Sequence, residues 1–312
     1  MSAHPTAWRR LKKQIKRAAL ESEMLWRLGF NLPSTLAYRR AKPVLTAEGQ
    51  RIVTLLDRDG IALTSIDRLC SDRGLYDELL AASEQLVRSY ESAEGDQPYT
   101  HEANYLGASP LFDPGSVYAR FAVQDDILSV INAYFGMYTQ LRKYALFRNS
   151  VARGAPTINQ QFHRDGDYRY FVMRIFVYLA EVDEHCGPFT YVPGTHMKGR
   201  GEHRGSNDAS DPAPIAAKGP AGTIVFADTR GLHRGGRCTA GTRFFYNALY
   251  TSPAIGADYF TRPPAQPAPR TDARSWALSP PQEWFYPFMR TGLDRRGRPT
   301  TQAGAAAPSD AP

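Results

Sequence analysis

Apolar positions along this chain fall into two regimes. Before about residue 138 they recur mostly at three- and four-residue spacing, the period of a helix with one buried face. From about residue 139 to 255 they gather into short runs rich in β-branched and aromatic residues, bounded by Gly and Pro, the mark of strands. In the first regime Trp8, Leu11, Ile15, Ala18, Ser22 and Leu25 predict an amphipathic helix over residues 7–28, ended by Gly29 and Pro33. Residues 47–138 read as mostly helical, with a strand at 61–63 and a helix at about 126–135.

In the second regime, residues 158–162 follow the turn signals Gly154 and Pro156 and predict a short strand. A long strand is expected over 171–179, and a short one within 187–196 that enters a tight turn at Pro193-Gly194. Two further runs, 222–228 and 243–250, are separated by a Gly235-Gly236 turn. The chain thus divides into an N-terminal segment (1–46) and a body (47–255) with a helical buttress (47–138) and a β core (139–255). A Pro- and aromatic-rich extension follows (256–296), and then a tail (297–312) whose Ala, Pro, Ser and Asp content reads as disordered.

Composition bounds the class. With 312 residues, 42% of them hydrophobic, the chain can bury a full core. Its three cysteines, Cys70, Cys186 and Cys238, suit neither a disulfide framework nor a zinc ligand set, which favours a reducing compartment. No apolar run reaches the length of a membrane span, and the N-terminus lacks the apolar segment of a secretory signal, so a cytoplasmic protein is expected. The net charge of +7 is concentrated at one end. Residues 1–46 hold ten Lys and Arg against Glu21 and Glu23, which leaves the body nearly neutral. The basic amphipathic helix suits peripheral contact with an anionic membrane or simple packing on the body, and no nucleic-acid-binding module accompanies it.

The candidate chemistry lies in the β core. In His163-Arg164-Asp165 the two outer residues would share one strand face, and His233 would come from a strand-to-strand connection. Two imidazoles and one carboxylate occupy one face of an octahedron and leave the other open, the ligand set of non-haem Fe(II) oxygenases. Arg243, ten residues after His233, offers a guanidinium for a carboxylate, with Arg237 a rival for that role. Asn149 and Thr190 are candidates to contact a co-substrate. His185, His196 and His203 are not expected to bind metal, and Tyr168 and Tyr170 read as packing residues, with a place at the substrate mouth as the alternative. His-Arg-Asp also spells the protein-kinase catalytic triplet. Tyr170 stands where a kinase needs Asn, however, and neither Asp-Phe-Gly nor a glycine-rich loop is present.

The order of His163-x-Asp165, a long apolar strand, Gly187-Pro188-Phe189-Thr190-Tyr191-Val192-Pro193-Gly194-Thr195-His196, the Gly222-Thr223-Ile224-Val225-Phe226 run, His233 and an Arg243-headed strand resembles the phytanoyl-CoA dioxygenase family of Fe(II)/2-oxoglutarate oxygenases. The likeness is strongest from about 144 to 250, weaker through 56–63 and 127–136, and absent from 1–46 and beyond about 255. It implies a mainly β fold with flanking helices around a double-stranded β-helix, or jelly roll. It further implies Fe(II) on His163, Asp165 and His233, 2-oxoglutarate held by Arg243, O2 as oxidant and ascorbate as an accessory reductant. The Arg243 spacing is one residue shorter than the family pattern.

The implied reaction hydroxylates a C–H bond of a small-molecule or lipid-linked substrate and releases succinate and CO2. Related halogenases have a non-ligating residue at the position of Asp165, so a carboxylate there favours hydroxylation. A non-oxidative jelly-roll metal or ligand binder, such as a sensor or a cupin-like isomerase, is the alternative from another class. A third reading makes the basic N-terminal helix the functional part and the barrel its scaffold.

Overall fold

Thr46 and Gly60 bracket the first long helix of the body. The Thr46 hydroxyl accepts from Gly49 N at 3.1 Å, and Gly60 takes the left-handed φ of 77° that closes a helix at lowest steric cost. The computed structural model describes residues 24–94, 102–106, 113–151, 154–165, 172–197, 212–253 and 270–278. In chain order its helices are α1 (Leu32–Arg40), α2 (Ala47–Asp59), α3 (Ile66–Leu69), α4 (Arg73–Glu94), α5 (Val117–Ala122), α6 (Asp125–Phe135) and α7 (Ala273–Ala277). The strands are β1 (Ile61–Ser65), β2 (Glu102–Asn104), β3 (Gln140–Asn149), β4 (Val172–Tyr178), β5 (Phe189–Tyr191), β6 (Ile215–Ala217), β7 (Thr223–Ala227), β8 (His233–Gly235) and β9 (Arg243–Thr251).

These strands form two antiparallel sheets, a larger one in the order β1-β7-β4-β9-β3-β2 and a smaller one in the order β6-β5-β8. The result is a mainly β jelly-roll fold with flanking helices. Period-2 alternation gives the large sheet two different faces. One carries Phe147, Phe176 and Phe245, which pack with Phe189 and Tyr191 of the small sheet, so the core lies between the sheets. The other carries Tyr246 and Tyr250, whose hydroxyls donate to Tyr118 O and Ala122 O of α5 at 2.6 and 2.7 Å. Helix α5 therefore covers that outer face.

Several elements differ from the reading of the sequence. The strand expected at 158–162 is a 3-10 turn, Ile158–Gln160, closed by reciprocal bonds between Thr157 and Gln160. The connection between the runs 222–228 and 243–250 is itself a strand, β8, in the small sheet, and β4 lies between β7 and β9. The strand expected at 61–63 is present as β1, and the buttress also supplies the unexpected β2; the two are the outermost strands of the large sheet. Long-range pairing of this kind leaves no local pattern. Pro33, expected to end a helix, sits in the first turn of α1, where its missing N–H has no partner to lose.

Of the helix expected over 7–28, only the end lies among the described residues, and there Leu25–Phe30 is a π-helix. Trp26 is buried, with its indole N–H donating to Ser252 Oγ at 2.9 Å. Beyond β9, Trp276 of α7 stacks on Tyr138 at 6.3 Å in a cluster with Tyr38. The expected aromatic cluster at 284–289 and the tail lie outside the described residues.

Candidate metal centre

His163 and His233 are brought together by backbone pairing. Each donates its N–H to the other's carbonyl at 2.9 Å, an isolated antiparallel bridge between chain segments seventy residues apart. Two residues on, Asp165 N donates to Thr229 O at 2.9 Å, so the segment 163–165 is laced to the chain leading into β8. The imidazole centroids lie 4.4 Å apart, and ligand atoms from His163, Asp165 and His233 all fall within 4.8 Å of one another. Among the described residues this is the one group of three or more such side chains close enough to share an ion.

The donor set fits a divalent metal in its protonation as well as its spacing. His163 Nδ1 lies 2.8 Å from Gln161 O, and His233 Nδ1 lies 2.9 Å from Gly231 O. A neutral imidazole that donates from Nδ1 to a carbonyl turns the Nε2 lone pair to the opposite side, toward a ligand position. Burial pushes His233 down to about 4, against the opposing pull of Asp165, so its ring is neutral near pH 7. Burial acts to raise the Asp165 carboxyl, but the Arg174 guanidinium and then the His233 ring outweigh it and hold it well below the carboxylate range. Arg174 Nε donates to Asp165 Oδ2 at 2.9 Å.

Around this core is a network that the sequence reading missed. Arg164, between the two ligands and pointing the other way, donates to Thr195 O at 2.6 Å and Arg230 O at 2.8 Å. Leu232 N donates to Thr195 Oγ1 at 2.8 Å, and Tyr191 OH to Asp228 O at 2.8 Å. Burial acts to raise the Asp228 carboxyl; Arg230, with help from Tyr134 OH at 2.7 Å, holds it low and charged. Gly231 is needed here because a Cβ at that position would overlap the Tyr191 hydroxyl. The 228–232 turn that delivers His233 is thus pinned from three sides. One signal was present in the sequence: Arg174 is a lone charge in an otherwise apolar strand, which marks a buried partner.

The remaining candidates separate. Arg243 opens β9 on the same face as Phe245, is 6% exposed, and donates to Gly187 O. Its Nη2 would lie 3.3 Å from a Cβ at Gly235, two residues after His233. Asn149, at the end of β3, pairs with Arg243 in register, and its buried Oδ1 is an acceptor with no hydrogen-bond partner. The rival Arg237 instead donates to Gly154 O at 2.7 Å. Thr190 is not brought to the cluster. Phe189 and Tyr191 on either side of it stack near His233, so alternation points Thr190 to the opposite face, where its hydroxyl donates to Pro188 O. His185 and His196 are outside the cluster, and His203, Tyr168 and Tyr170 lie outside the described residues.

Fold and site together define a double-stranded β-helix protein with a two-histidine, one-carboxylate centre. The chain belongs to the phytanoyl-CoA dioxygenase (PhyH) family, whose model matches residues 64–245. It is an enzyme of the Fe(II)/2-oxoglutarate-dependent oxygenase superfamily. No curated protein matches the chain. Among solved structures, the non-haem α-ketoglutarate-dependent epimerase SnoN from nogalamycin biosynthesis is 19% identical, with a TM-score of 0.51 over 75% of this chain and 95% of that one. EctD from S. alaskensis, solved with 2-oxoglutarate and 5-hydroxyectoine, is 18% identical, with a TM-score of 0.50 over 75% of this chain and 83% of that one. The α-ketoglutarate-dependent carbocyclase SnoK is 16% identical, with a TM-score of 0.50 over 69% and 87%. At identities this low the likeness establishes the shared fold.

Proposed function

We propose that this protein hydroxylates a C–H bond of a small-molecule or lipid-linked substrate, with 2-oxoglutarate as co-substrate and Fe(II) held by His163, Asp165 and His233. The observation that carries the reading is the pairing of the three-donor cluster with a buried guanidinium, Arg243, beside the strand that bears His233. A metal site for non-oxidative chemistry has no use for a carboxylate clamp there.

When bound, Fe(II) with 2-oxoglutarate and O2 supplies the oxidising power, and succinate and CO2 leave. The chain's own contribution is binding, orientation and dryness. Arg243 offers a fork of donors to the distal carboxylate of the co-substrate, a geometry that Lys lacks. Asn149, opposite it, offers its Nδ2–H as a donor to the same ligand. Phe147, Phe176, Phe245 and Phe189 wall the space between the sheets and exclude water from it. Arg174 keeps the Asp165 carboxylate ionised and oriented. The epimerase SnoN and the carbocyclase SnoK mark other outcomes reached on this fold. The carboxylate of Asp165, which leaves no room for a halide, supports hydroxylation.

The test is anaerobic addition of Fe(II) and then 2-oxoglutarate to the purified protein, followed by the visible charge-transfer band of a chelated keto acid. We expect a band that is lost in His163→Ala and weakened in Arg243→Ala. Iron-loaded wild-type protein without a band refutes the co-substrate assignment.

A further inference from the structure

Lys143 lies in the β core, facing the space between the sheets, and nothing in the proposed reaction uses it. It pairs in register with Leu249 of β9, and Leu249 pairs with Arg174 of β4, so the three residues form one row across adjacent strands. Residues directly opposite each other in antiparallel strands share a face. Arg174 and Phe176 share a face by alternation, and Phe176 packs on Phe189 of the small sheet at 4.5 Å, so the row faces the interior.

Two cations therefore look into the same space. Arg174 is committed to Asp165 at 2.9 Å and to Asn247 Oδ1 at 3.4 Å. Lys143 is half-buried, and among the described residues it has no acidic partner; the charge that acts on it is that of Arg174. Burial first, and then Arg174, work against its protonated form. A half-buried ammonium held beside a second cation is costly unless an anion joins it.

The co-substrate is not that anion. Arg243 lies six residues back along β9, about 20 Å of strand. A five-carbon diacid clamped by Arg243 and chelated at the triad does not extend to Lys143 as well. We propose that Lys143 binds an anionic group of the substrate, a carboxylate or a phosphate, at the end of the barrel away from Arg243, beside the Arg174–Asp165 pair. This rests on the oxygenase reading above and narrows it to substrates that carry an anion near the carbon to be oxidised.

The test loads the full-length protein with Mn(II) and saturating 2-oxoglutarate under anaerobic conditions and titrates in inorganic phosphate, reading the paramagnetic broadening of its phosphorus resonance. A parallel titration with acetate reads the methyl proton line and separates a phosphate site from a carboxylate site. The wild type and Lys143→Arg are expected to show saturable broadening by one of the two anions, and Lys143→Met at least a tenfold loss of affinity for it. Each variant is first shown to give the Fe(II)/2-oxoglutarate band, which Lys143→Met should retain. A missing band in the wild type defeats the oxygenase reading by itself. A normal band with no saturable broadening by either anion, or with broadening unchanged in Lys143→Met, overturns the role of Lys143.

Discussion

His163 and His233 exchange two backbone hydrogen bonds of 2.9 Å, so the candidate metal centre is built on a strand pairing as well as on side chains. Loss of one imidazole should therefore leave the bridge intact. His163→Ala is expected to keep the wild-type circular dichroism while metal affinity drops more than about 100-fold, beyond the usual cost of losing an outer-sphere partner. Equilibrium dialysis with Fe(II) or Mn(II) measures this, and a variant that binds metal like the wild type would remove His163 from the ligand set.

Arg174 is expected to act on the metal through Asp165. Arg174→Leu should weaken metal binding by about 10- to 100-fold, because the carboxylate loses its orienting donor. Unchanged affinity by dialysis would reduce the ion pair to a local contact.

Arg243 should control co-substrate affinity separately from metal affinity. Arg243→Ala is expected to raise the Kd for 2-oxoglutarate about 100-fold, roughly 3 kcal/mol, the scale of charge-assisted bonds to a carboxylate. Arg243→Lys should recover little of it, since a point charge does not reproduce the fork. A full rescue by Lys would show that charge alone is read there.

Gly231 carries the turn into His233 beneath the Tyr191 hydroxyl. Gly231→Ala should cost about 1–3 kcal/mol from overpacking, visible as a Tm lowered by about 5 °C. It should also weaken metal binding, as the turn shifts. Melting and dialysis that both match the wild type would mean that the turn has room to relax.

Glu48 gives the stability of the body a pH dependence. Hydrogen bonds from Arg51, then from Thr64, together with the nearby Arg68 charge, outweigh burial and hold its carboxyl at about 2, below its ordinary value of 4.5. A lowered folded-state value adds stability that is fully present above about 4.5 and is lost as pH falls toward 2. Glu48→Gln should cost about 1 kcal/mol at pH 7 and converge with the wild type near the low end of that window. Denaturant titrations at several pH values decide it; a constant difference down to the lowest pH would exclude the linkage.

The sequence by itself determined the β core and named the three side chains that cluster as candidate donors. Runs such as 171–179 and 222–228 are apolar because strands buried on both faces need no polar alternation, and that is visible locally. His-x-Asp at 163–165 was legible for the same reason, since the period of extended chain is short. Only the tertiary structure decided what stands beside them. That Arg164 grips the 195 and 230 carbonyls, that Arg174 supports Asp165, and that Lys143 and Arg174 share a row follow from register between strands far apart in the chain. Thr190 and Arg237 were reasonable by neighbourhood, and the side of the strand or loop on which each side chain emerges placed them elsewhere. Local pattern sets which residues can be strand and which can be ligand; long-range backbone pairing sets which of them meet.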